Sequence, residues 1–112
     1  MRGDYPITAQ ADALSRYLDG LVVRCHEHSL LETFAEAGSI PVVNALSDLL
    51  HPCQVYADAF TMLEAIAPGA RSPDDFRDGL RGRKLAFLGD TACNMAISLL
   101  MLGGLLDFEV VL

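Results

Sequence analysis

The chain has 112 residues, 52% of them hydrophobic, with 8 basic and 15 acidic side chains and a formal charge of -7. This length suits one domain or pieces of two, with roughly two thirds of the unfolded surface available for burial. The apolar content excludes disorder, and the scarcity of clustered Lys and Arg excludes a nucleic-acid partner.

Ile7, Ala11, Leu14 and Leu18 share one face of a helix that Gly20 closes. Leu21-Val22-Val23-Arg24-Cys25 then reads as a short buried strand. A second helix is expected from about Ser29, with Ser29 as N-cap and Glu32 as its capping-box partner. Its apolar face is Leu30, Leu31, Phe34 and Ala35, Gly38 ends it, and Ile40-Pro41-Val42-Val43 is the next strand. After a loop from Asn44 to Leu50, His51-Pro52 opens the longest helix, because proline suits a first helical turn. Val55, Ala59, Met62 and Ile66 form its stripe, and Pro68-Gly69 stops it.

Residues 68–83 hold two Pro, three Gly, four Arg and three Asp and read as a linker. Leu85 to Leu88 follows as a strand, Gly89-Asp90 as a turn, and an almost wholly apolar helix runs from about Asn94 to Leu102, broken by Gly103-Gly104. Phe108 to Leu112 is one more strand, on which the chain stops without a polar cap, as an internal piece of a larger protein would. Alternating helices and buried strands predict an α/β fold of parallel sheet in αβα layers. The composition shift at 68–83 predicts two sheets, with strands 21–25 and 40–43 in one and 85–88 and 108–112 in the other.

The longest apolar run, Met95 to Leu102, has eight residues with Ser98 inside it, far short of the ~18–20 of a bilayer span. The opening Met1-Arg2-Gly3-Asp4-Tyr5-Pro6 lacks the apolar core of a signal peptide. Cys25, Cys53 and Cys93 are odd in number and widely spaced, so the expected location is a reducing cytoplasm.

The strongest local constellation is His51-Pro52-Cys53-Gln54 at a helix start after a strand. In open α/β sheets ligands lie at the strand ends beside helix N-termini, whose unpaired amides favour anions. His51 and Gln54 are three residues apart and can serve one site; the alternative is that His51 caps the helix and Gln54 is solvated. Arg24, at the end of an apolar strand, wants an anionic partner, either a substrate phosphate or a carboxylate such as Asp19 or Glu27. Cys25-His26-Glu27-His28 lacks the spacing of a zinc site and reads as a polar loop. Gly89-Asp90-Thr91-Ala92-Cys93-Asn94 sits where a dinucleotide site would begin but lacks Gly-x-Gly-x-x-Gly. Asn94 there either caps its helix or meets a ligand. Cys53 and Cys93 lie near helix starts, but no Cys-His dyad is evident.

Leu14-Ser15-Arg16-Tyr17, Arg24, Pro41 to Asp48 running into His51-Pro52-Cys53-Gln54, and Ala57-Asp58 resemble the middle of the ornithine carbamoyltransferases. Gly89-Asp90 with Asn94-Met95 is similar to the first turn of that family's amino-acid domain. The resemblance implies that residues 1–50 are the C-terminal part of a carbamoyl-phosphate domain. It implies a bridging helix at 51–67, and at 68–112 a linker and the start of an ornithine-binding domain. It implies Arg24, His51 and Gln54 as catalytic, carbamoyl-phosphate-binding residues and Asn94 as an ornithine ligand. The implied reaction carries the carbamoyl group to the δ-amine of ornithine, giving citrulline and phosphate, without a metal or other cofactor. The family forms trimers, so the resemblance implies a homo-oligomer for the complete protein.

Ala9-Gln10-Ala11-Asp12 stands where the family has Asp-Thr-Ala-Arg. Its Ser-Thr-Arg-Thr-Arg phosphate loop, Ser-Met-Gly ornithine loop and His-Cys-Leu-Pro segment are not in this chain. The expectation is therefore an internal piece of the enzyme, inactive in isolation. The alternatives are a catalytically inactive remnant, or a putrescine- or aspartate-type carbamoyltransferase.

Overall fold

The β-branched run and the two turn-closed helices around it build the first of two units, Met1–Leu49 and Leu50–Leu112, in a computed structural model that describes residues 5–112. Helix α1 (Ile7–Ser15) starts after Pro6, whose carbonyl accepts the amides of Ala9 and Gln10. The apolar spacing continues to Leu18 but the helix does not. The amides of Tyr17 and Leu18 both turn back to the Leu14 carbonyl, and Leu18 is left exposed.

Strands β1 (Leu21–Arg24) and β2 (Val42–Leu46) pair in parallel across α2 (His28–Ala37), with Leu21 opposite Val42 and Val23 opposite Asn44. The register shifts between Val23 and Arg24, so Arg24 stands opposite Leu46 and Ala45 is the extra residue. β2 therefore begins later and runs further than the expected 40–43. Pro41 has no amide for a ladder, but its carbonyl still accepts from Leu21 at 2.9 Å.

Ser29 is not the cap of α2. The cap position lies two residues earlier, at Glu27, and the His28 amide donates to Asp48 Oδ1 at 3.0 Å. The capping oxygen thus comes from the loop after β2, which no sequence-local pattern could show. Helices α1 and α2 pack together and bury Ala11 and Leu31. The Ser15 hydroxyl joins them, donating to the Ala11 carbonyl (2.8 Å) and accepting from the Ser39 amide (3.0 Å).

The second unit begins with α3 (Pro52–Ile66), in which Val55, Ala59 and Leu63 are the buried positions. Ile66, expected in the stripe, is exposed, because the buried line follows Leu63 toward α4 (Pro73–Leu80). Helix α4 corrects the linker expected at 68–83. Despite its charge, this segment carries a complete capping box: the Asp75 amide donates to Ser72 Oγ (3.1 Å) while Asp75 Oδ2 accepts from the Ser72 amide (3.0 Å). Its apolar side chains, Phe76 and Leu80, join the core of this unit.

Strands β3 (Lys84–Ala86) and β4 (Glu109–Val111) pair in parallel, Leu85 opposite Val110, as a sheet separate from β1–β2, so the strands form two parallel pairs as expected. Between them α5 runs from Asn94 to Leu106, through Gly103 and Gly104 rather than breaking there. Val55, Ala59, Leu63, Leu80, Leu99, Leu102, Leu106 and Phe108 are the buried centre. Asp107, at φ 61°, turns the chain out of α5, a left-handed position that aspartate tolerates better than most residues.

The α4 box carries a testable pH dependence. Hydrogen bonds from the Arg71 amide, then from Ser72, hold the Asp75 carboxyl below its usual range. A depressed acid stabilises the fold while it is ionised, and that contribution fades as pH falls through its native value. Below about pH 4, the Arg71 and Ser72 amides should exchange faster relative to their intrinsic rates, while Asp75→Asn should abolish this extra dependence. Unchanged protection on acidification would remove the carboxylate from the cap.

Candidate active site

In the first unit the polar residues gather where β1 and β2 end. Arg24 is the last residue of β1, is exposed, and has no ion-pair partner among the described residues, so neither Asp19 nor Glu27 neutralises it. The loop around it is rigidly held. The Cys25 amide donates to the Leu46 carbonyl (3.1 Å) and the Asp48 amide to the His26 carbonyl (2.7 Å). His28 Nδ1 lies 2.8 Å from the hydroxyl of the fully buried Ser47, which also accepts from Asn44 Nδ2 at 3.3 Å. The Cys25 thiol donates to the Glu27 carbonyl. Among the described residues no group of His, Cys, Asp and Glu is arranged to hold a metal ion, and residues 25–27 form the turn between β1 and α2, which His28 begins.

In the second unit His51 occupies the N-cap position of α3, with Pro52 at the first helical position. Its side chain is not the cap. No side-chain cap bond is made, and Nδ1 is buried without a hydrogen-bond partner among the described residues. The backbone carries the contact instead: the His51 amide donates to Ser98 Oγ at 2.8 Å, and that hydroxyl donates to the Asn94 carbonyl at 2.6 Å. Ser98 is 3% exposed, on the buried face of α5. One hydroxyl therefore joins the first residues of α3 and α5 and brings His51 and Asn94, two of the residues singled out in the sequence, to one corner. Gln54 is exposed one turn along, where its Nε2 donates to Asp58 Oδ1 at 2.8 Å.

The arrangement suits an anionic or carbonyl ligand. The first amides of α3 have no partner within the helix, the dipole is positive there, and an imidazole nitrogen stands uncompensated beside them. A groove of about 260 Å³ opens between α3 and α5, lined by Leu50, Pro52, Tyr56, Ser98 and Met101 among others. The turn before α5 is shaped by Gly89 at φ 157° and by the Ala92 amide donating to Asp90 Oδ1 at 2.9 Å.

Residues 2–64 match the family model of the aspartate/ornithine carbamoyltransferases, carbamoyl-P binding domain. The chain belongs to that family. It is 47% identical over 102 residues to the ornithine carbamoyltransferase of Chlorobaculum tepidum, covering 91% of this chain and 27% of that protein. It is 47% identical over 111 residues to the one from Sorangium cellulosum, covering 99% and 33%. The crystal structure of ornithine carbamoyltransferase from Burkholderia thailandensis superposes with a TM-score of 0.82 at 34% identity, over 96% of this chain and 33% of that one. The chain thus spans about a third of the length of the relatives it matches.

Within this carbamoyltransferase segment, the sequence singles out His51, Gln54, Arg24 and Asn94 as candidates but not the residues that contact them. Ser98 was visible only as the one hydroxyl in an apolar run. Asp58 was available from its four-residue spacing to Gln54. The Ser47–His28 pair joins residues 19 apart and had no local signal.

Proposed function

We propose that this chain is the part of an ornithine carbamoyltransferase that includes the N-terminus of its bridging helix. Residues 1–50 close the carbamoyl-phosphate domain, 51–67 form the bridge, and 68–112, beginning with α4, are the opening of the ornithine-binding domain. The observation that carries the reading is the His51 corner: a buried imidazole nitrogen with no hydrogen-bond partner among the described residues at the N-terminus of α3, with Gln54 one turn on and Asn94 joined through Ser98.

In the proposed reaction the neutral δ-amine of ornithine attacks the carbamoyl carbon. A C–N bond forms, negative charge builds on the carbonyl oxygen, the C–O bond to phosphate breaks, and the amine's proton passes to the departing phosphate. His51 donates to the developing oxyanion, worth ~3–4 kcal/mol for a well-placed donor. Gln54 accepts from the carbamoyl NH2 and fixes its orientation. Arg24, exposed and without an ion-pair partner among the described residues, offers its charge to carbamoyl phosphate, and Asn94 binds ornithine. Every step is polar and uses protein donors alone. Citrulline formation fits a step of arginine biosynthesis. We place the protein in the cytoplasm, where three cysteines without a disulfide are at home, and as a homotrimer when complete.

The test supplies carbamoyl phosphate with ornithine, putrescine or aspartate to the chain joined to the coding sequence around it, at the length of its relatives. Citrulline should form from ornithine. A product from putrescine or aspartate alone would reassign the acceptor, and no product from any of them would leave an inactive remnant.

A further inference from the structure

The His51 amide presents a problem that most helices solve locally. The N-cap amide is one of the donors a helix leaves unpaired, and a Glu or Gln three residues on commonly reaches back to accept from it. The residue three positions after His51 is Gln54, so the sequence contains that local solution. It is not used. The His51 amide goes to Ser98 Oγ, 47 positions away at 2.8 Å, and Gln54 instead points along the helix to Asp58.

Ser98 is an unexpected residue to find there. Its neighbours on the buried face of α5 are Ala96, Leu99, Leu102, Gly103 and Leu106. A hydroxyl among them costs free energy unless both its donor and acceptor capacities are used. Both are: it accepts from His51 and donates to the Asn94 carbonyl.

We propose that Ser98 is a positioning residue of the carbamoyl-transfer site: by taking the His51 amide it releases Gln54 from capping and ties the start of α3 to α5, while its own proton rests on the Asn94 carbonyl one turn back in α5. The contribution to catalysis rests on the carbamoyltransferase reading; the release of Gln54 does not. Without the hydroxyl, Gln54, at the capping-box position, is the acceptor the sequence supplies for the His51 amide. The side chain that should orient the carbamoyl group is then drawn back onto the helix end.

Two measurements separate these layers. By NMR on the 112-residue chain, Ser98→Ala should shift the Gln54 side-chain amide resonances and speed exchange of the His51 amide roughly tenfold, the scale of one hydrogen bond. Ser98→Thr, which keeps the hydroxyl, should restore both. Gln54→Ala should leave the His51 amide unchanged when Ser98 is present and speed its exchange further when Ser98 is alanine. Exposed Gln54 is tolerant of substitution, so this arm decides the matter even if Ser98→Ala folds poorly. Fast His51 exchange in Gln54→Ala alone would make Gln54 the cap and overturn the proposal, as would unchanged exchange and Gln54 signals in Ser98→Ala.

In the relative-length protein, Ser98→Ala should lower kcat/KM for carbamoyl phosphate roughly ten- to hundredfold. Adding Gln54→Ala should cost little more, because Gln54 has already been withdrawn. Fully additive losses would overturn the catalytic part. A parent protein without carbamoyl transfer would sink the functional reading while the exchange data still decide what Ser98 does.

Discussion

Replacing His51 by alanine should lower carbamoyl-transfer turnover roughly 10²-fold or more, the scale for losing one oxyanion donor. The effect should fall on the chemical step rather than on folding. The His51 side chain makes no cap bond, and its Nδ1 has no hydrogen-bond partner among the described residues, so its removal breaks none of their hydrogen bonds. The contact that does hold the corner, amide to Ser98 Oγ, is backbone and survives the substitution. Steady-state kinetics of the relative-length protein, paired with thermal melts, check both halves. Unchanged turnover with an intact fold would confine His51 to its backbone role at the start of α3.

Gly103→Ala and Gly104→Ala should move stability in opposite directions, though the residues are adjacent in one helix. A Cβ on Gly103 would lie 2.8 Å from the Phe108 carbonyl oxygen and 2.8 Å from Val110 Cγ2, where β4 crosses α5. The Phe108 amide also donates to the Gly103 carbonyl, so strand and helix cannot separate without losing that bond. Overpacking against backbone should cost about 1–3 kcal/mol. A Cβ on Gly104 meets nothing within 4 Å, so alanine there should gain up to about 1 kcal/mol from helix propensity. Urea denaturation of the two variants beside the parent chain reads the difference. Equal stability would mean that β4 does not approach the helix at Gly103.

The same two glycines show where sequence reasoning stops. Gly103-Gly104 reads as a helix break because glycine is a poor helix former, yet α5 continues to Leu106. Glycine is at position 103 because the Phe108 backbone passes there, a reason that lies five residues away and is invisible to propensity. The charged 68–83 segment shows the opposite conflict. Its composition is that of a linker, while the Ser72/Asp75 pair, three residues apart and readable as a cap, outweighs composition locally.

By itself the sequence determined the α/β alternation, two separate parallel strand pairs, the His51-Pro52 start of α3 and the family. All of these rest on short-range signals: β-branched runs, helical periodicity, a proline at a first turn, and a contiguous motif. Only the tertiary structure decided how those pieces are finished. Asp48 rather than Ser29 completes the start of α2, and Ser98 rather than Gln54 completes the start of α3. A helix end must find partners for its orphan amides, and the chain supplies them from whichever side chain folding brings near, 20 or 47 positions away.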